Sequence, residues 1–278
     1  MLRQRVVTAL LMAGAFLAGV YWLPAHVLGA VFAFIVALGA WEWAPMAGLA
    51  SSRARVIYMI LLVVGVAFAF SYTEFGASLE RERLQPLLGL ACLWWCFALL
   101  WVKSFPGSAR IWGSRYIRSL MGFLILVPAW LAAYYLLSVE PHGAAMVLLV
   151  MVVAAADIGA YFTGKAVGRH ALSPAVSPGK TWEGFWGGVV CVALLAAVVW
   201  SLLPDRYDHI GLPAAVVVAL AAAFASVLGD LTVSMVKRVS GVKDSSSLLP
   251  GHGGLLDRLD SICAAAPTFA LSLIMAGF

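Results

Sequence analysis

Charge is what this sequence has least of. Only 11% of its 278 residues are Asp, Glu, Lys or Arg, against roughly 25% in a soluble domain. With 63% apolar residues, the chain carries more apolar surface than one aqueous core can bury, so its main solvent is lipid. Cysteine is scarce too. Cys92, Cys96, Cys191 and Cys263 all lie inside hydrophobic runs, which excludes a disulfide framework. Cys92 and Cys96 stand one helical turn apart, but no third ligand is near them in sequence, and both are read as small core residues. Linkers, internal repeats and low-complexity stretches are missing, which leaves one membrane domain. A P-loop is missing as well: "GKT" at Gly179–Thr181 would need a glycine at position 174, where Pro174 stands, and no strand is expected before it.

What the chain has in abundance is long apolar runs. A bilayer core takes about 20 apolar residues as a helix, and nine runs qualify: 6–23, 25–45, 56–73, 84–102, 119–138, 144–164, 184–203, 211–236 and 259–277. Arg3 and Arg5 precede the first run as they would in a signal peptide. That run is long, lacks a small-residue cleavage site and is followed at once by another span, so it is read as a retained helix. Between the runs the charge alternates. With the N-terminus in the cytoplasm, the segments on that side hold Arg3, Arg5, Arg53, Arg55, Lys103, Arg110, Arg115, Arg118, Lys165, Arg169, Lys180, Lys237, Arg238, Lys243 and Arg258. The other side keeps only Arg81, Arg83 and Arg206 of the 18 basic residues. The positive-inside rule gives N-in, C-out. The expected fold is therefore all-α: a polytopic integral membrane protein of about nine transmembrane helices. The net charge of +5 is then a topology signal, and no nucleic acid partner is expected.

Charges inside spans cost about 2.5–3.5 kcal/mol each on insertion scales and mark function. Glu42, Asp157, Asp230 and Asp260 are such charges. Asp230 stands seven residues before Lys237, which is about 10 Å of helix, and Asp157 stands eight before Lys165. Asp257 and Asp260, three apart, share one side of the last helix. Three helices thus bring acids to one depth below the cytoplasmic surface. Glu42, in "WEWAP", is assigned a structural or interfacial role.

The polar chemistry concentrates in "KRVSGVKDSSSLLPGHGGLLDRLDS", residues 237–261, on the same side as "GKAVGRHALSPAVSPGKTWEG", residues 164–184. Mutual neutralisation (Asp230 with Lys237, Asp244 with Lys243, Asp257 with Arg258) is one reading. Neighbours such as Asp257 and Arg258, however, point to different faces of a helix. "PGHGG" surrounds a histidine with glycines, whose exposed amides suit a bulky anion. Carboxylates, bases and free amides at one place suit a magnesium–phosphate site, since Mg²⁺ is commonly held by one or two carboxylates plus substrate phosphates. Lys180, at the expected start of the seventh span, adds a cation beside helix amides.

The stretch from Ser234 to Asp260, "SMVKRVSGVKDSSSLLPGHGGLLDRLD", resembles the signature of the phosphatidate cytidylyltransferases, also called CDP-diacylglycerol synthases. The matching positions are Ser234, Lys237, Arg238, Lys243, Asp244, Pro250, His252, Gly253, Gly254, Asp257, Arg258 and Asp260. The resemblance extends back through "GDL" (Gly229–Leu231) and "DIGAYFTGKAVG…SPGKTWEG" (Asp157–Gly184). It departs at Gly179, where a second basic residue is expected.

The resemblance implies an enzyme that joins CTP to phosphatidate, giving CDP-diacylglycerol and pyrophosphate in phospholipid biosynthesis, with Mg²⁺ and room for a second, monovalent ion such as K⁺. It implies that Asp230, Asp257 and Asp260 hold metal, and that Lys180, Lys237, Arg238, Lys243 and Arg258 bind phosphates. Asp244, Gly253 and Gly254 complete the binding loop. His252 either orients a phosphate oxygen or is structural, and Ser234 either completes the shell or is a plain helix serine. A homodimer in the cell (inner or plasma) membrane, with the active site at its cytoplasmic face, is also implied. In this scheme residues 1–118 supply four N-terminal spans. Residues 119–278 supply five catalytic ones with the signature loop 234–260. A secondary transporter is the rival class, but the charges gather at one face and the halves show no repeat. A CDP-alcohol phosphotransferase would need a "DG…AR…G…D…D" pattern that is absent.

Overall fold

A computed structural model describes residues 2–73, 81–203, 210–248 and 253–277, with side chains from residue 10 onward. Its ten α-helices are α1 (Leu2–Trp22), α2 (Ala25–Met46), α3 (Ser52–Tyr72), α4 (Arg81–Lys103), α5 (Ala109–Trp112), α6 (Arg115–Ser138), α7 (Ala144–Val167), α8 (Trp182–Ser201), α9 (Leu212–Val239) and α10 (Leu256–Met275). Each expected span falls on one helix, and α5 is a single extra turn. Among the described residues, eight of the helices are long and apolar enough to cross a membrane, while the apolar part of α1 described is Leu10–Trp22. The protein is an all-α, multi-pass membrane protein.

Local chemistry sets several helix starts. Ser51, Ser114 and Thr181 each place a side-chain oxygen on the amide three residues on, at 3.2, 3.3 and 3.1 Å, and so satisfy one of the donors a helix leaves open. α6 is the central post: from Ile125 to Leu137 nearly every residue is buried, and it packs against α2, α3, α4, α7 and α10. α7 lies along α8, and α9 along α10. The first of these contacts depends on small residues. A side chain at Gly188 would stand 2.7 Å from the Ala156 carbonyl, so Gly184-x-x-x-Gly188 is a close-approach stripe of the kind that joins helices in lipid.

The basic loops collect at one end of the bundle. The Met46 carbonyl, at the end of α2, accepts from Arg118 Nη1 at 2.6 Å and from Ser240 Oγ at 2.8 Å. Trp43 Nε1 donates to the Arg118 carbonyl at 2.8 Å, so the ends of α2 and α9 and the start of α6 meet there. One element departs from expectation. Residues 171–181, read as loop, form an antiparallel hairpin of β1 (Ala171–Ser173) and β2 (Ser177–Thr181) that runs directly into α8. Strands of three and five residues, interrupted by Pro174 and Pro178, show no alternation from which a hairpin could be read. A strand therefore does precede "GKT". No loop separates it from the helix, so there is still no phosphate-cradling P-loop.

Candidate active site

α9 and α10 cross closely at Gly229, where a Cβ would run into the Asp260 carbonyl and come within 2.9 Å of Ala264 Cβ. This crossing sets Asp230 beside Asp260. Asp230 Oδ2 pairs with Lys180 Nζ at 2.6 Å, and Ser234 Oγ donates to Asp230 Oδ1 at 3.0 Å. The Asp230 and Lys180 side chains keep 28% and 27% of their surface accessible, so this pair is open to its surroundings. Asp260 is buried and its Oδ1 accepts from the Ser261 amide at 2.8 Å. Asp157 on α7 is accessible and lies within electrostatic range of both Lys180 and Asp230. Asp260 lies within range of Asp230, Lys237 and Lys180.

A second ion pair is more enclosed. Lys237 Nζ meets Asp257 Oδ1 at 2.7 Å, with side chains only 10% and 5% exposed. Asp257 Oδ2 accepts from the Ser245 and Gly254 amides, each at 2.9 Å. Asp257 is thus fully engaged by its own chain.

Asp230, Asp257 and Asp260 do not meet as a preformed cluster: among the described residues no three His, Cys, Asp or Glu side chains converge. Asp257 is held by Lys237, which also lies within electrostatic range of Asp230 and Asp260; Asp230 and Asp157 are the accessible acids, and Asp260 is buried. Lys180, the penultimate residue of β2, directly precedes Thr181, the N-cap of α8, and so stands at the start of that helix as expected. The last glycine amide of the loop is not open to an outside anion. Gly254 gives its N–H to Asp257, and a side chain on it would strike Ser245 Oγ and come within 2.8 Å of Glu42 Oε2. Gly253, at φ +84°, takes a left-handed turn beside Asp244 and Asp257.

The remaining candidates are spread around this core. Arg238 Nε donates to the Val176 carbonyl at 3.1 Å and so ties the hairpin to α9. Lys243, Asp244 and Arg258 are exposed. Pro250 and His252 lie outside the described residues. Glu183 clasps the base of the hairpin: its carboxylate takes His170 Nδ1 at 2.6 Å and the Arg169 and His170 amides at 3.1 and 3.2 Å. Two functional candidates were under-read in the sequence. Asp157 signalled itself as a mid-span acid. Glu42 did too, and its partners are Ser245, Ser246 and the start of α10.

Chemically, four aspartates (157, 230, 257, 260) face two lysines (180 and 237). When all are ionised, two negative charges remain over. Oxygen donors with surplus negative charge suit a hard divalent cation that shares its coordination with a ligand's phosphates. Asp230 and Asp260 are the residues that could hold one.

A family model described as the cytidylyltransferase family matches residues 3–276. The chain is 42% identical over 283 residues to a phosphatidate cytidylyltransferase of Pseudomonas aeruginosa, covering 100% of this chain and 99% of that one. It is 39% identical over 288 residues to a phosphatidate cytidylyltransferase of Haemophilus influenzae, covering 97% and 98%. With its full length matched, and with its acids and lysines gathered at one end of a multi-pass bundle, the chain belongs to the cytidylyltransferase family of enzymes.

Proposed function

We propose that this enzyme transfers the cytidylyl group of CTP to phosphatidate, releasing pyrophosphate and forming CDP-diacylglycerol. The observation that carries the reading is the accessible Lys180–Asp230–Ser234 group backed by Asp260 within a membrane bundle. It sets a cation and oxygen ligands about 10 Å below Lys237, a depth that a lipid headgroup reaches and a soluble nucleotide can approach from one face. A lipid phosphate oxygen would attack the α-phosphorus of CTP. The new P–O bond forms as the bond to the β-phosphate's bridging oxygen breaks, and the pyrophosphate carries away the electron pair. A phosphate dianion needs no general base, and none is required of the residues here.

Mg²⁺ held by Asp230 and Asp260, when bound, would neutralise phosphate charge and withdraw electrons from the reacting phosphorus. Lys180 is the mobile cation of the site: its ammonium, now on Asp230, is free to move to a substrate phosphate. Lys237 stays with Asp257 and holds the α9–α10 junction. Ser234 fixes one oxygen of Asp230 and so leaves the other to its partner. The family resemblance, with the positive-inside pattern, supports a cytoplasmic site in the cell membrane.

Incubating the purified protein with labelled CTP, phosphatidate and magnesium is the test. A lipid-soluble cytidine product that depends on all three is expected, and its absence would defeat the reading. For sidedness, a cysteine at Lys243 should label only from the cytoplasm and one at Glu140 only from the opposite face. Labelling of both from one side would reverse the topology.

A further inference from the structure

We propose that Glu42, on α2 in the N-terminal half, is a positioning residue for this site. It holds Ser245, Ser246 and the first turn of α10, and through them the directions of Asp257 and Asp260. Glu42 is 2% exposed, and its carboxylate has four partners. Oε1 accepts from Ser246 Oγ at 2.5 Å and from the Leu255 amide at 2.9 Å. Oε2 accepts from Ser245 Oγ at 2.9 Å and from the Leu256 amide at 2.7 Å.

A helix leaves its first four amides without partners inside it, and α10 has no side-chain cap of its own: Leu255 stands at that position. Glu42 supplies the missing acceptor from another helix, with a negative charge at the positive end of the α10 dipole. Asp257 and Asp260 follow within the next four residues, so whatever fixes this turn fixes their exit directions.

Ser245 shows how closely this latch and the ionic site are joined. Its hydroxyl goes to Glu42 and its amide to Asp257. Two carboxylates therefore hold one loop from two sides, Glu42 from α2 and Asp257, itself held by Lys237 of α9. Gly254 is small because both grips need its space: an added Cβ would collide with Ser245 Oγ and crowd Glu42. Ser245, Ser246 and the last glycine of "PGHGG" thus serve the protein's own carboxylates.

A residue that only supported folding would leave the kcat of the properly folded protein unchanged. A positioning residue lowers kcat in folded protein, because a displacement of about 1 Å at a reacting centre costs up to about a hundredfold. The activity readout rests on the function proposed above; amide exchange does not. In monodisperse Glu42→Gln protein we expect kcat for cytidylyl transfer to fall at least about tenfold with KM for CTP little changed. Hydrogen–deuterium exchange should quicken at residues 245–248 and 254–257 and stay as in the wild type in α3 and α4.

Should Glu42→Gln not fold, two further variants carry the test. Ser245→Ala with Ser246→Ala removes two donors but leaves the Leu255 and Leu256 bonds, and should cost about threefold in kcat. Gly254→Ala crowds the latch without altering a charge and should lower kcat further. Wild-type kcat in folded Glu42→Gln or Gly254→Ala protein, or unchanged exchange at 254–257, would overturn the inference. A wild-type protein without transferase activity would instead refute the proposed function, and exchange would still decide whether Glu42 holds the loop.

Discussion

The two lysine–aspartate pairs of this site have nearly the same length and opposite surroundings. Lys180–Asp230, at 2.6 Å, joins a hairpin to α9 and keeps more than a quarter of each side chain accessible. Lys237–Asp257, at 2.7 Å, joins α9 to α10 with at most a tenth of either exposed. Coulomb attraction alone does not separate them; solvent access does. The open pair sits where water and ligand can compete for each partner, so it is weak as a staple and useful as a binding group. The buried pair has lost its solvation, holds two backbone amides as well, and costs heavily when one partner is removed. Proximity in the signature stretch hides this division, since Asp257 and Asp260 stand three residues apart and have different partners.

The largest effect expected is on stability at the buried pair. Asp257→Asn leaves Lys237 a buried cation without its counter-charge and should cost about 3–5 kcal/mol of stability. It is read as a drop in thermal unfolding temperature in detergent and as loss of protection at Ser245 and Gly254. A variant as stable as the wild type would mean that the pair is solvated after all, and the contrast between the two pairs would disappear.

Next comes catalysis at the open pair. Asp230→Asn should lower kcat at least about a hundredfold, while thermal stability shifts by less than about 1 kcal/mol because the side chain is already partly solvated. Turnover near the wild-type rate and still dependent on magnesium would remove Asp230 from the ligand set. Lys180→Ala should act more mildly, raising KM for an anionic substrate about tenfold with kcat less affected. An unchanged KM would make Lys180 only the partner of Asp230.

Much of this was legible in the sequence, for reasons that particular residues show. Helix positions follow from apolar run length, so each expected span falls on a helix. Mid-span acids are costly, so Asp157, Asp230, Asp260 and Glu42 stood out at once. What spacing along the chain could not reveal is which acid meets which base. Asp230 lies seven residues from Lys237, yet its partner is Lys180, fifty positions back; Lys237 takes Asp257, twenty positions on. Both choices are made by the crossings at Gly229 and Gly188 and by a hairpin too short and proline-broken to leave a periodic trace. Glu42 was visible as a buried charge, but its role depends on contacts with residues more than two hundred positions away.

The smallest effect would sharpen the contrast without removing anything. Gly179, next to Lys180 in β2, is exposed, and a side chain there would meet nothing within 4 Å. The position at which a second basic residue is expected is therefore vacant space on the open pair's own strand. Gly179→Lys should enter without strain and add a second cation beside the open pair. Charges that remain solvated contribute about 0.2–1 kcal/mol, so KM for an anionic substrate should fall by no more than about fivefold, with kcat unchanged. Because the Debye length shortens to about 8 Å at physiological ionic strength, the gain should shrink as salt is raised, and Gly179→Gln should show none of it. Equal KM values for the lysine and glutamine variants at low salt would mean that this face of the hairpin does not look onto the substrate path. A gain that survived high salt would mean that the new ammonium makes a buried, direct contact, which the open character assigned to the Lys180–Asp230 side does not allow.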